Sequence, residues 1–332
     1  MHTRPLGPFS VSAIGLGCMN LSAGYGAADP EQSVQLLNEA LDCGYSLLDT
    51  AAIYGVGHNE TLLGNTLQQR RHDYVLATKC GMTRDDSGLP KPNGRPDVLR
   101  RECEQSLKRL KTEVIDLYYL HRVDPDVAVE ESVGTLGDLV REGKVRTLGL
   151  SEVCCDTLRR AQREHPIIAV QSEYSLWSRT PERGMLACCN ELGITLVAFS
   201  PLGRGFLAGS ASDITALDEI DLRATIARPR FEPEAFAANS RLLPPYFAIA
   251  QRLGCTPAQL ALAWLLTQAE GQILPIPGTR NPNHLRENAA AAELQLDTAT
   301  CAELDQLINE HSVTGSRYTE ALMASSDAEK DR

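Results

Sequence analysis

The chain has 332 residues, long enough to bury a sizeable core whether it folds as one domain or two. A formal net charge of −11, with the acids spread along the chain, excludes a nucleic-acid footprint and leaves any phosphate-bearing ligand to be met by local arginines. Ten cysteines in no regular framework, no zinc-spaced Cys/His cluster and no charged-then-apolar leader predict a reduced, metal-free, cytoplasmic protein, and the apolar runs fall far short of the ~20 residues of a membrane helix, so no membrane partner is expected.

From residue 14 onward short β-branched runs alternate with amphipathic helical patterns, which predicts repeated βα units and a parallel sheet. The candidate strands are 14–18, 46–50, 74–79, 115–121, 145–151, 167–171, 195–200 and 273–277, eight in all. Asp29-Pro30 opens the first helix as N-cap and first-turn proline, and Gly44 closes it; Asp97, Asp156 and Thr256-Pro257 open later ones. Leu136, Leu139 and Val140 put an apolar stripe on the fourth helix before Gly143 ends it. Eight units without a composition break favour an α/β fold of one domain, a (β/α)8 TIM barrel, over an open doubly wound sheet, although counting strands does not show closure. A hairpin within 3–11, a loop at 203–239 too long for a plain connection, and an extra helix near 298–309 decorate the repeat. The barrel domain is expected to span 1–323, and 324–332, small and charged, reads as a flexible tail.

In such a barrel the site lies at the C-terminal strand ends. Asp49, Lys79, His121, Ser151, Gln171 and Ser200 end successive runs there. Each alone has a plain structural reading, as a turn cap, an exposed terminus or hydrogen-bonded core, but successive strands bring them to one rim. Tyr54 follows in the loop after Asp49. A tyrosine, with an unperturbed pKa near 10, is a poor proton source unless a cation favours its phenolate. Lys79 can supply that charge, Asp49 can keep the lysine protonated, and His121 can donate to an oxygen that gains negative charge. The set describes an acid able to protonate a carbonyl oxygen while its carbon is attacked. A Schiff-base lysine, as in class I aldolases, would need no tyrosine at this spacing.

The stretches Asp49-Thr50-Ala51-Ala52-Ile53-Tyr54-Gly55, Ala77-Thr78-Lys79 and Leu117-Tyr118-Tyr119-Leu120-His121 resemble the catalytic tetrad of the aldo-keto reductases, and the resemblance runs from Gly15 to about Glu310. It implies a barrel that binds NADPH (NADP+) without a Gly-x-Gly-x-x-Gly fingerprint and reduces a small aldehyde or ketone to an alcohol, with hydride from the nicotinamide and a proton from Tyr54. Asp49, Tyr54, Lys79 and His121 become the catalytic set. The resemblance also puts Ser151 and Gln171 at the nicotinamide carboxamide and Tyr174 on one ring face. Ser200, Pro201, Leu202, Gly203, Arg204 and Gly205 fall at the pyrophosphate. Pro277, Gly278, Thr279, Arg280, His284, Glu287 and Asn288 fall at the adenosine end, with Arg280 on the 2′-phosphate. Glu152 stands where many members carry asparagine; its carboxylate can accept from the carboxamide nitrogen but not donate to the oxygen.

Gly149-Leu150-Ser151-Glu152, Gly203 to Leu207, and Arg230-Phe231 leading to Asn239-Ser240 resemble the branch that includes plant perakine reductase and yeast pyridoxal reductase, which places the long loop over the cofactor with Arg228 or Arg230 at hand. Met19, Tyr25, Ile53 and Trp177 are the expected walls of the substrate pocket. Potassium-channel β-subunits share the resemblance and bind NADPH, so a regulatory or redox-sensor subunit is the alternative to an enzyme. Neither the physiological substrate nor an oligomeric state follows from the sequence.

Overall fold

A computed structural model describes residues 1–22, 24–211, 214–215 and 217–331. The chain opens with the expected hairpin, β1 (Thr3–Leu6) and β2 (Phe9–Ser12), turned at Gly7 and Pro8. The barrel units then follow: β3 (Leu16–Gly17) with α1 (Pro30–Asp42), and β4 (Leu47–Asp49) with α2 (His58–Leu67). After β5 (Val75–Cys80) a small hairpin, β6 (Met82–Arg84) and β7 (Pro90–Pro92), precedes α3 (Pro96–Leu110). Three regular units come next: β8 (Ile115–Leu120) and α4 (Val129–Arg141), β9 (Val145–Ser151) and α5 (Cys155–Glu164), β10 (Ile167–Glu173) and α6 (Met185–Leu192). The long loop after β11 (Thr195–Phe199) leads to α7 (Pro233–Ser240), α8 (Leu243–Arg252) and α9 (Pro257–Thr267). Last are β12 (Ile273–Pro275), α10 (Pro282–Ala290), α11 (Thr298–Leu307) and α12 (Glu320–Ser325). Among the described residues no helix is long and apolar enough to cross a membrane.

The eight parallel strands run β3-β4-β5-β8-β9-β10-β11-β12. Closure comes from Gly15, whose N–H donates to the Pro275 carbonyl (3.0 Å), and Gly17, whose N–H donates to the Pro277 carbonyl (3.2 Å). This seam is thin because Pro275 and Pro277 have no N–H with which to extend the ladder, which is why 14–18 and 273–277 give such short strands. Gly17 is required there, since a Cβ would sit 2.7 Å from the Ile276 carbonyl oxygen. Inside the barrel Leu47, Ala77, Leu117, Ala169, Val197 and Leu274 pack together, and Leu6 and Val11 of the hairpin plug the N-terminal end. The opposite end is left for polar side chains.

Asp29 and Thr256 cap α1 and α9, each accepting from a backbone N–H of its own first turn. Asp97 and Asp156 sit inside the first turns of α3 and α5, behind Arg95 and Cys154 at the cap positions, where a carboxylate still faces the positive end of the helix. Part of the segment expected to be a flexible tail, 327–331, packs against the barrel. Asp327, Ala328 and Glu329 are buried. The Cys154 and Cys155 N–H groups at the start of α5 donate to the carboxylates of Asp327 (2.9 Å) and Asp331 (3.0 Å). The acids that suggested a solvated tail are the ones that satisfy the open helix end.

Candidate active site

The loop that carries Tyr54 is fixed from below by Asn59, whose amide donates to the Cys18 carbonyl and the Ser22 hydroxyl (both 2.8 Å) while its oxygen accepts from Thr50 (2.6 Å). Strand geometry supplies the rest. Lys79, on β5, is buried, and its ammonium donates to Asp49 at the end of β4, to the Thr50 carbonyl (2.8 Å) and to the Tyr54 hydroxyl (3.5 Å). The second Asp49 oxygen accepts from the Gln171 amide on β10 at 2.7 Å. The Tyr54 and His121 rings meet edge to face at 5.9 Å between centroids. Asp49 and Tyr54 after β4, Lys79 on β5 and His121 after β8, drawn from three strand ends, therefore form one cluster.

Burial disfavours charge on Lys79, but the Asp49 carboxylate and the Tyr54 oxygen outweigh it and raise the lysine's pKa. Tyr54 differs from the expectation. Burial pushes its pKa up, and the opposing charges of Lys79 and Arg122 do not reverse the direction. His121 is held well below the usual histidine value of 6.5 by burial first, then by Arg122 and Lys79, so its ring is neutral near pH 7.

A cavity of 460 Å³ opens beside this cluster and is lined by Asp49, Tyr54 and His121. Lys79 stays behind Asp49 and Tyr54. Ser151, Gln171, Ser200, Pro201, Leu202, Arg204 and Gly205 continue the wall, and Pro277, Gly278, Thr279, His284, Glu287 and Asn288 form its far end. Met19 and Tyr25 line it as expected.

Several expected residues do not line it. Tyr174 is fully buried, edge-on to Trp264, with its hydroxyl donating to Glu182 (2.8 Å). Phe199, at the end of the apolar run that Ser200 terminates, does reach the wall. Trp177 is packed beneath the long loop, stacked on Phe206 (4.1 Å) and under the Arg230 guanidinium (5.0 Å), and Ile53 is absent from the wall. Gly203 is buried behind it. The Arg280 guanidinium lies outside, donating to the carbonyls of Tyr25 (2.8 Å) and Ala27. Arg228 pairs with Glu232 (2.6 Å) and Arg230 bonds Ser178 (2.7 Å) and Gly315 (3.2 Å), so it is Arg223, with Leu222 and Ile226, that this part of the long loop brings to the cavity, beside Arg204, Gly205, Ala208 and Ser210 from its start. Leu222 also ties that loop to the first one, its N–H donating to the Gly24 carbonyl (2.9 Å).

Asn20, Arg122 and Tyr318 line the cavity too and were not anticipated. Arg122 was one residue from His121 and within reach of the strand-end rule. Nothing local could announce Tyr318, which reaches the site from beyond α11 and lies against Arg204 (5.4 Å) and Arg317 (4.8 Å). Its neighbour explains Glu152. Arg317, buried, pairs with Glu152 (2.6 Å) and Glu329 (2.7 Å) and approaches Glu173 (3.8 Å), which pairs with Arg204 at 2.9 Å. Glu152 thus faces the C-terminal segment and not the cavity. Burial would raise the Glu173 pKa, but the surrounding arginines prevail and lower it to about 2.

A closed parallel barrel with a Lys-supported tyrosine beside a polar-floored cavity defines a barrel oxidoreductase that needs no Rossmann domain. The sequence pattern of the Aldo/keto reductase family matches residues 13–309. Probable aldo-keto reductase 1 of Glycine max is 41% identical over 319 residues, covering 95% of this chain and 90% of that protein. Among solved structures, a glycerol dehydrogenase from Gluconobacter oxydans superposes with a TM-score of 0.83 at 27% identity, covering 93% of this chain and 95% of that one. An aldo/keto reductase from Klebsiella pneumoniae in complex with NADP and acetate gives 0.72 at 28% identity, with 93% and 95% covered. The chain belongs to the aldo/keto reductase family, whose members are NADP-dependent oxidoreductases.

Proposed function

We propose that the protein is an NADPH-dependent carbonyl reductase in which Tyr54 supplies the proton. The observation that carries this is the Tyr54 hydroxyl 3.5 Å from an ammonium that Asp49 keeps charged, on the wall of a cavity large enough for a small ligand. The cavity also suits the cofactor chemically. Ser200, Leu202, Arg204 and Gly205 line it together, which puts a hydroxyl, a guanidinium and a stretch of backbone without a Cβ within reach of a phosphate. The Asn20 side-chain oxygen is buried with no hydrogen-bond partner among the described residues, an acceptor available to a ligand hydroxyl or amide. Ser151, Gln171 and Phe199 would frame the nicotinamide, Ser200–Gly205 the pyrophosphate, and Thr279, His284 and Asn288 the adenosine end. NADPH held there supplies hydride to the carbonyl carbon.

The chain's own part follows from charge. As the carbonyl oxygen turns negative, neutral His121 orients it by donating a hydrogen bond and Tyr54 gives up its proton. The phenolate left behind faces Lys79, where attraction is on the order of 5 kcal/mol at an effective dielectric of about 20. Resting acidity and transition-state help are separate here: burial keeps the proton on Tyr54 until a charge appears that Lys79 can stabilise. Tyr54→Phe should leave NADPH binding by fluorescence titration nearly intact and cut kcat for aldehyde reduction by about 10²–10⁴-fold. Full turnover in that variant would remove Tyr54 as the acid, and a wild type that oxidises bound NADPH only once would favour the sensor reading.

A further inference from the structure

Charge on the cavity wall is almost fully balanced. Asp49 is matched by Lys79, Arg204 by Glu173 (2.9 Å) and Arg223 by Asp221 (2.7 Å). Glu287 lies at the far end and accepts from Thr256 (2.5 Å). Arg122 is left over: it lines the cavity, is half-buried, and has no carboxylate within ion-pair distance among the described residues. Its Nη1 donates to the His121 carbonyl (2.6 Å) and the Ser151 hydroxyl (3.1 Å), which folds the guanidinium back toward the tetrad. Nε and Nη2 have no partner among the described residues, so a planar pair of donors is free beside the reaction site.

We propose that Arg122 receives a substrate carboxylate, so that the site prefers short-chain oxo acids, in which a few carbons separate the carbonyl from the acid. A guanidinium matches a carboxylate with two parallel hydrogen bonds, and the fold keeps this one within a residue of His121, so the acid has to be close to the carbonyl along the substrate chain. The assignment deepens the carbonyl-reductase reading and rests on it for the reaction, but not for the binding.

The test compares 4-oxobutanoate with its methyl ester, of nearly the same shape and no charge, at saturating NADPH. The wild type should favour the acid in kcat/KM by about tenfold or more, the scale of one charge-assisted contact. Arg122→Gln should collapse that ratio mainly through KM, and Arg122→Lys should keep part of it. In parallel, succinate is titrated into the NADPH-loaded protein by cofactor fluorescence, and Arg122→Gln should weaken its binding about tenfold. If neither carbonyl compound is reduced while succinate still depends on Arg122, the reductase reading fails and the anion site stands. A wild-type ratio near one, or succinate binding equal in wild type and variant, overturns the proposal. So does a variant that loses NADPH affinity with the acid-to-ester ratio unchanged, which would give Arg122 to the cofactor.

Discussion

Lys79 spends its three ammonium hydrogens on Asp49, Thr50 and Tyr54, which leaves it no freedom to act as a nucleophile and makes it a fixed charge under the tyrosine. Replacing it with methionine keeps most of the volume but strands Asp49 in a buried site. Lys79→Met should therefore lose aldehyde reduction by about 100-fold or more and also lower the urea midpoint. Adding Asp49→Asn should restore much of the stability and none of the activity. If the single variant keeps its turnover, the lysine is only a structural counter-ion.

At the scale of elements, the rim is assembled from loops that the chain ties to one another. Arg280 joins the start of α10 to the loop at Tyr25 and Ala27, and that loop in turn holds Leu222 of the long connection. Arg280→Ala should raise the Kd of NADPH and NADH by similar factors, because it loosens a shared wall. A loss confined to NADPH would return the guanidinium to the 2′-phosphate. The C-terminal segment is tied in by Arg317, which lies between Glu152 at the end of β9 and Glu329. Arg317→Met leaves buried acids without a counter-charge and should destabilise by roughly 3–5 kcal/mol in chemical denaturation. A change under about 0.5 kcal/mol, the range of an ordinary surface substitution, would mean that the network contributes little.

For the whole molecule, the shifted groups set how stability responds to acid. His121 has a folded pKa well below 6.5, so on acidification the unfolded chain binds its proton first and stability falls as pH drops below about 6.5. Glu173, lowered from 4.5 to about 2, adds a second loss as pH falls from 4.5 through about 2. Both contributions are complete above neutral pH. Urea unfolding from pH 7.5 down to 5 should show the first slope in wild type and a smaller one in His121→Gln; identical slopes would place the titration elsewhere.

The repeat of β-branched runs and helical stripes was enough to give eight parallel βα units, though not their closure, and the strand-end rule was enough to bring Asp49, Lys79 and His121 to one rim, because both depend on period and on which end of a parallel strand is open. Tyr54, in a loop, was picked out by the family resemblance. Turn chemistry at Asp29 and Thr256 was equally local. Which aromatic reaches the cavity was not: Phe199 ends β11 and Tyr174 follows β10, and only the packing of Tyr174 against Trp264 takes it away from the wall. Glu152 could be read as a cofactor contact until Arg317, far along the chain, turned it away. The direction of the Tyr54 pKa shift likewise depended on how deeply the fold buries it, a balance of desolvation against one ammonium that no spacing of residues contains.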